Sequence, residues 1–150
     1  MPQESVTHEP TATGVLELTR HVYTALNRRD FDAVTAMFAQ HAVWDISRWG
    51  LGVHVGTEAI RRFMGDWFES LEEYEVQVHE LLDLGNGVVY AEVLQVARRA
   101  ASRDHLRLRS APVYEWAEGS IARLTLYPNL SEGRGAAERA AARATRTASP

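Results

Sequence analysis

The feature that most restricts this 150-residue chain is a change of hydrophobic period near Leu71. Before it, apolar residues recur at helical spacing; after it, four long runs nearly alternate and are separated by short polar breaks. Helices and antiparallel strands are therefore segregated along the chain. Ile60, Phe63, Met64, Trp67, Phe68 and Leu71 stand at i, i+3, i+4, i+7, i+8 and i+11, the broad stripe of a helix with one buried face, and Thr57 offers an N-cap. Upstream, Val15, Leu18, Val22, Ala25 and Leu26 predict a first helix that ends at Asn27. Asp30 caps a short second helix whose face is Phe31, Val34, Met37 and Phe38. Residues 42–46 read as a short strand, and a glycine-bearing loop over 48–52 leads to a second at 53–55. The later runs, 74–84, 88–98, 105–116 and 120–127, have the short connections that join antiparallel neighbours.

The ends of the chain read differently. Residues 1–13 carry prolines, threonines and acids without periodicity, which predicts a disordered leader, and the folded domain is expected over 14–130. Residues 131–150 form an Ala/Arg-rich tail, expected to be partly helical or disordered because it offers almost no apolar stripe to dock.

Composition narrows the chemistry. A net charge of −4 argues against phosphate-backbone binding, so no nucleic-acid partner is expected. All 16 basic residues are Arg, which excludes Schiff-base lysine chemistry, and the lack of Cys removes thiolate nucleophiles and Cys-ligated zinc together. No run approaches the ~20 apolar residues of a membrane span, so a soluble, cytoplasmic protein is expected. His41, His54 and His79 lack any metal-ligand spacing, and no serine stands in a nucleophile elbow.

The residues 25–32 (ALNRRDFD), then Met37-Phe38-Ala39, Val43-Trp44-Asp45, residues 56–60 (GTEAI) and residues 119–123 (GSIAR) resemble the nuclear transport factor 2-like superfamily, within it the SnoaL-like and ketosteroid-isomerase-related branch. The resemblance spans roughly residues 14–140. It implies an α+β cone: three N-terminal helices packed on a curved, mostly antiparallel (mixed) sheet around an apolar pocket, often in a homodimer. Aligned on the isomerase, the catalytic aspartate falls on Ile46 with Asp45 one residue early, and the oxyanion tyrosine falls on Val22 with Tyr23 one residue late. The second oxyanion donor falls on Tyr114 or near Pro112. The polyketide-cyclase acid also falls near Pro112, which has no proton to give.

Asp45, beside Trp44, is the candidate base, since a carboxylate desolvated by an indole can titrate near neutrality. Adjacent strand residues point to opposite faces, however, so both enter the pocket only across a bulge. Tyr23 and Tyr114 are the candidate donors to an enolate oxygen. Trp44, His54, Trp67, Tyr90 and Glu92 are candidate ligand contacts, with Glu92 sharing a strand face with Tyr90 and Leu94. In 105–116 the Leu-rich even face, with Tyr114, is expected inside and Arg107 and Arg109 outside. Val89, Ala91 and Val93 are expected to form an outer homodimer surface. Two readings follow: a protein that binds a small apolar carbonyl compound and acts on it as a cofactor-independent isomerase or dehydratase without metal, or a non-catalytic dimerisation or ligand-sensing module of the same fold.

Overall fold

The computed structural model describes residues 11–148. Its elements are α1 (Thr11–Asn27), α2 (Phe31–Ala36), β1 (Phe38–Asp45), a single 3-10 turn (Ser47–Trp49), β2 (Val53–Val55), α3 (Thr57–Glu69), β3 (Leu71–Gly85), β4 (Val88–Arg99), β5 (His105–Ala117), β6 (Ser120–Tyr127) and α4 (Leu130–Ala148). The strands form one curved, unclosed sheet in the order β2-β1-β6-β5-β4-β3. Only β1 and β6 run parallel, so the sheet is mixed as expected. The α+β cone is thus observed, with α1, α2 and α3 burying Val22, Val34, Ile60, Met64 and Phe68 against the concave face.

Side chains tie the helices to that face. Thr19, fully buried in α1, donates to the Val15 carbonyl at 2.7 Å and accepts from the indole nitrogen of Trp116 on β5 at 3.0 Å. At the end of α1, Asn27 pairs with β3 as a strand residue would, donating to the Val76 carbonyl at 3.0 Å and accepting from its amide at 2.8 Å. Arg29 then donates to the Phe68 and Leu71 carbonyls, both at 2.7 Å, and so ties the α1–α2 turn to the junction of α3 and β3. Asp30 caps α2 by accepting from the Ala33 amide at 3.1 Å, as expected.

Element boundaries differ from the sequence reading where one residue serves either period equally well. Phe38 and Leu71 are buried as strand residues of β1 and β3 rather than as the last contacts of α2 and α3. Polar Gln40 and His41, together with a register break between Phe38 and Val43, obscure the first half of β1. Gly56, at φ 91°, is the N-cap of α3, and Thr57 is its first helical residue. Residues 1–10 of the expected leader lie outside the described residues, and α1 begins at Thr11. Among the described residues no helix is long and apolar enough to cross a membrane.

The convex face carries a second core. Ala137, Ala140 and Ala141 of α4 are buried against Val88, Tyr90, Ala111, Val113 and Tyr127. The helix docks through alanine, whose small side chain gives almost no hydrophobic signal but lets two backbones approach closely. Gly133 shows how closely: a Cβ there would stand 2.7 Å from the Ala111 Cβ. Because the sheet is covered on both sides, β4 is buried on both faces, and its orientation is the reverse of the expected one. Val89, Ala91 and Val93 face the concave core and are unavailable to a partner; Tyr90 faces α4.

Gly133→Val should lower unfolding free energy by about 1–3 kcal/mol, the usual cost of overpacking a filled contact. Urea denaturation checks this, and an unchanged midpoint would mean that α4 is not seated on Ala111.

Candidate functional site

The cone opens into a cavity of about 270 Å³ between α1, α3 and the concave sheet face. Its walls are aromatic and aliphatic. Trp44 arrives from β1, Trp49 from the 3-10 turn, Phe63 and Trp67 from α3, with Leu108 and Leu126 from the sheet. Trp44 meets Phe63 edge-on at 5.5 Å between centroids, and Phe63 stacks on Trp67 at 6.3 Å, so one wall is a continuous aromatic surface.

Against this apolar wall stands a group of phenols. Tyr23 of α1, Tyr74 of β3 and Tyr114 of β5 all reach the cavity, and Tyr23 meets Tyr114 edge-on at 6.1 Å. Burial raises the pKa of all three above the ordinary phenol value, and their mutual proximity adds to it for Tyr23 and Tyr74. For Tyr114 burial outweighs the effect of the neighbouring Tyr23 hydroxyl, which acts in the opposite direction. All three therefore stay protonated near neutral pH and serve as donors rather than bases. The Tyr74 hydroxyl donates to the Gln95 side-chain oxygen at 3.1 Å. The Tyr23 hydroxyl and the indole nitrogens of Trp44 and Trp49 are buried without a hydrogen-bond partner. Unsatisfied buried donors are costly, and all three belong to residues that line the cavity.

No Asp, Glu or His lines this cavity among the described residues, and Arg99 is its one charged side chain. Asp45, expected as the base, lies across the sheet. Trp44 points into the cone, and alternation sends its neighbour to the convex side, where Thr125 is its partner in β6. There the carboxylate is fully engaged: Oδ1 accepts from the Ser47 amide at 3.0 Å and the Ser47 hydroxyl at 2.6 Å, and Oδ2 accepts from Arg123 at 3.2 Å with Arg48 at 3.9 Å. Burial alone would raise its pKa, but the Ser47 hydrogen bonds and the two guanidiniums outweigh that and hold it below the ordinary value.

Glu92 is also outside the cone, paired with Arg109 at 2.7 Å, and Tyr90 lies beneath α4 with Arg134 over its ring at 5.7 Å. His54 is not a lining residue; it stacks behind Phe63 at 4.2 Å, with Nε2 2.9 Å from the Leu51 carbonyl oxygen. Of the expected site residues, then, Tyr23, Trp44, Trp67 and Tyr114 meet at one cavity, and Asp45, His54, Tyr90 and Glu92 do not. The sequence reading missed Trp49, Tyr74, Gln95 and Arg99. Tyr74 could have been found two residues before core Val76, and Gln95 two residues after core Val93.

Residues 19–124 match the SnoaL-like domain family. The chain belongs to that family. Solved structures agree on the fold. A putative polyketide cyclase from Xanthomonas campestris pv. campestris is 26% identical, with 81% of this chain and 94% of that one covered and a TM-score of 0.61. A putative aromatic ring hydroxylase from Novosphingobium aromaticivorans is 22% identical, covering 77% and 87%, at a TM-score of 0.70. An NTF2-like protein of unknown function from Burkholderia pseudomallei is 19% identical, covering 79% and 92%, at 0.68. No curated protein matches the chain significantly. This SnoaL-like chain thus belongs to a small-molecule-binding family.

The depressed carboxyl of Asp45 gives a pH test of its structural role. A carboxyl whose folded pKa lies below its unfolded value of about 3.9 adds stability that is full above that value and is lost as pH falls through the folded one. The stability gap between wild type and Asp45→Asn should therefore be widest above about pH 5 and shrink in acid, as read by urea melts across pH. A gap independent of pH would contradict this role.

Proposed function

We propose that this SnoaL-like protein binds a small, flat, mostly apolar molecule in its cone through an acceptor oxygen, of carbonyl or related type, held by the hydroxyls of Tyr23 and Tyr114. The observation that carries this reading is the set of unsatisfied donors, Tyr23, Trp44 and Trp49, at a cavity whose walls are otherwise apolar. The Trp44, Phe63 and Trp67 rings supply the surface on which a flat skeleton would lie, and Arg99 offers a cation to an acidic oxygen. The 26%-identical relative described as a putative polyketide cyclase is consistent with an oxygenated carbon skeleton.

Ligand binding is favoured over proton transfer because the cavity supplies donors and no base. An enolate oxygen could be stabilised here, but its formation needs a group that takes a proton near neutral pH, and the lining carboxylate or imidazole for that is missing among the described residues. The reading is therefore carrier or sensor first. A homodimer built on the outer face would use what α4 leaves open, such as the exposed Gln77 and Arg109, rather than Val89, Ala91 and Val93.

Three tryptophans line the cavity, so occupancy can be read by fluorescence. 2-Acetylnaphthalene should quench it with saturation. Tyr23→Phe and Tyr114→Phe should each weaken that ligand by roughly 2- to 12-fold, the worth of one net hydrogen bond, and leave 2-ethylnaphthalene, which lacks the carbonyl, unaffected. No saturable quenching, or equal effects on both ligands, would refute the reading.

A further inference from the structure

On the opposite side of the sheet from the cone, α4 leaves a cleft of about 390 Å³ over β5 and β6. Four guanidiniums line it, Arg48 from the 3-10 turn, Arg123 from β6, and Arg139 and Arg143 from α4, against the carboxylates of Asp45 and Glu115. Two of the four are held in place. Arg123 donates to Asp45 at 3.2 Å. Arg48 lies 3.9 Å from Asp45 and 3.5 Å from Glu132, with its guanidinium 4.5 Å over the Tyr127 ring. Since Ser47 fixes the Asp45 carboxylate through two hydrogen bonds, Asp45 serves as the anchor that aims these two cations.

The other two stand differently. Arg139 and Arg143 are one helical turn apart on α4, and no carboxylate of the described residues pairs with either. Like charges at this spacing repel, and here they also share a cleft with two further cations. Four guanidiniums against Asp45, Glu115 and, at Arg48, Glu132 still leave positive charge in excess, beside an apolar floor of Val113, Ala136 and Ala140. A single carboxylate is matched by the fork of one arginine, whereas the three terminal oxygens of a phosphate monoester can be shared among several.

We propose that this cleft is a binding site for a small organic phosphate. Arg139 and Arg143 bind the phosphate oxygens, Arg123 completes the cationic wall, and the floor takes the organic part. The cleft and the cone are separated by the thickness of the sheet, with Val113 facing one and its neighbour Tyr114 the other, so this site stands or falls independently of the cone ligand.

The test is calorimetric titration of the full chain with phenyl phosphate at constant ionic strength, with inorganic phosphate and succinate as comparisons. Arg139 and Arg143 are exposed, so the double variant Arg139→Gln, Arg143→Gln should fold, as circular dichroism will confirm. The expected result is saturable binding of phenyl phosphate, tighter than inorganic phosphate and succinate, that weakens at least 10-fold in the double variant. Quenching by 2-acetylnaphthalene should not change in that variant. Absence of binding, or equal affinity in wild type and variant, overturns the site; succinate binding as tightly as phenyl phosphate overturns the choice of phosphate.

Discussion

Burial of β5 on both faces is the constraint on which the rest of the structure depends. From Ser110 to Tyr114 every residue is buried, Pro112 and Tyr114 toward the cone and Ala111 and Val113 toward α4. A strand in that position has no solvent face, so each of its side chains must be satisfied by one of two packed layers. Its small residues, Ala111 above all, let α4 lie close, while Tyr114 and Trp116 fill the inner side and reach α1 through Tyr23 and Thr19. The cone and the convex cleft are thus two sides of one strand.

That arrangement sorts the chemistry by face. Protonated phenols and indole N–H groups are gathered in the cone, where burial keeps the phenols neutral, and the Asp45 carboxylate is kept on the convex side, where Ser47 and two arginines hold its pKa below the ordinary value. Asp45 shows the sorting at a single step of the chain. It follows Trp44 on β1, so it shares a neighbourhood in sequence with the cavity and none in space. In the cone it would be a desolvated base; on the convex face it is an ionic anchor. The family's fold is retained while Asp45 is engaged in structural contacts, and membership in the SnoaL-like family by itself specifies a fold rather than a reaction.

The sequence alone determined those features that rest on local periodicity. The stripe of α3, the hairpins of the late strands, the inward face of Tyr114 and the outward face of Arg109 were all legible because each has an apolar side and a polar side to compare; Trp67 could be placed near a cavity on the same grounds, whereas Tyr23 and Trp44 were reached through the family resemblance. Only the tertiary structure decided what lies where both sides look alike. In β4, Val89, Ala91 and Val93 compete with Tyr90 and Leu94, and the presence of α4 beneath Tyr90 settles which set enters the cone. The docking of α4 was itself hidden, since alanine contributes close approach rather than a hydrophobic stripe. The convergence of Tyr23, Tyr74 and Tyr114, and of Arg48, Arg123, Arg139 and Arg143, joins residues far apart in the chain, and spacing along a sequence carries no information about contacts that exist only once the sheet has curved and both its faces are covered.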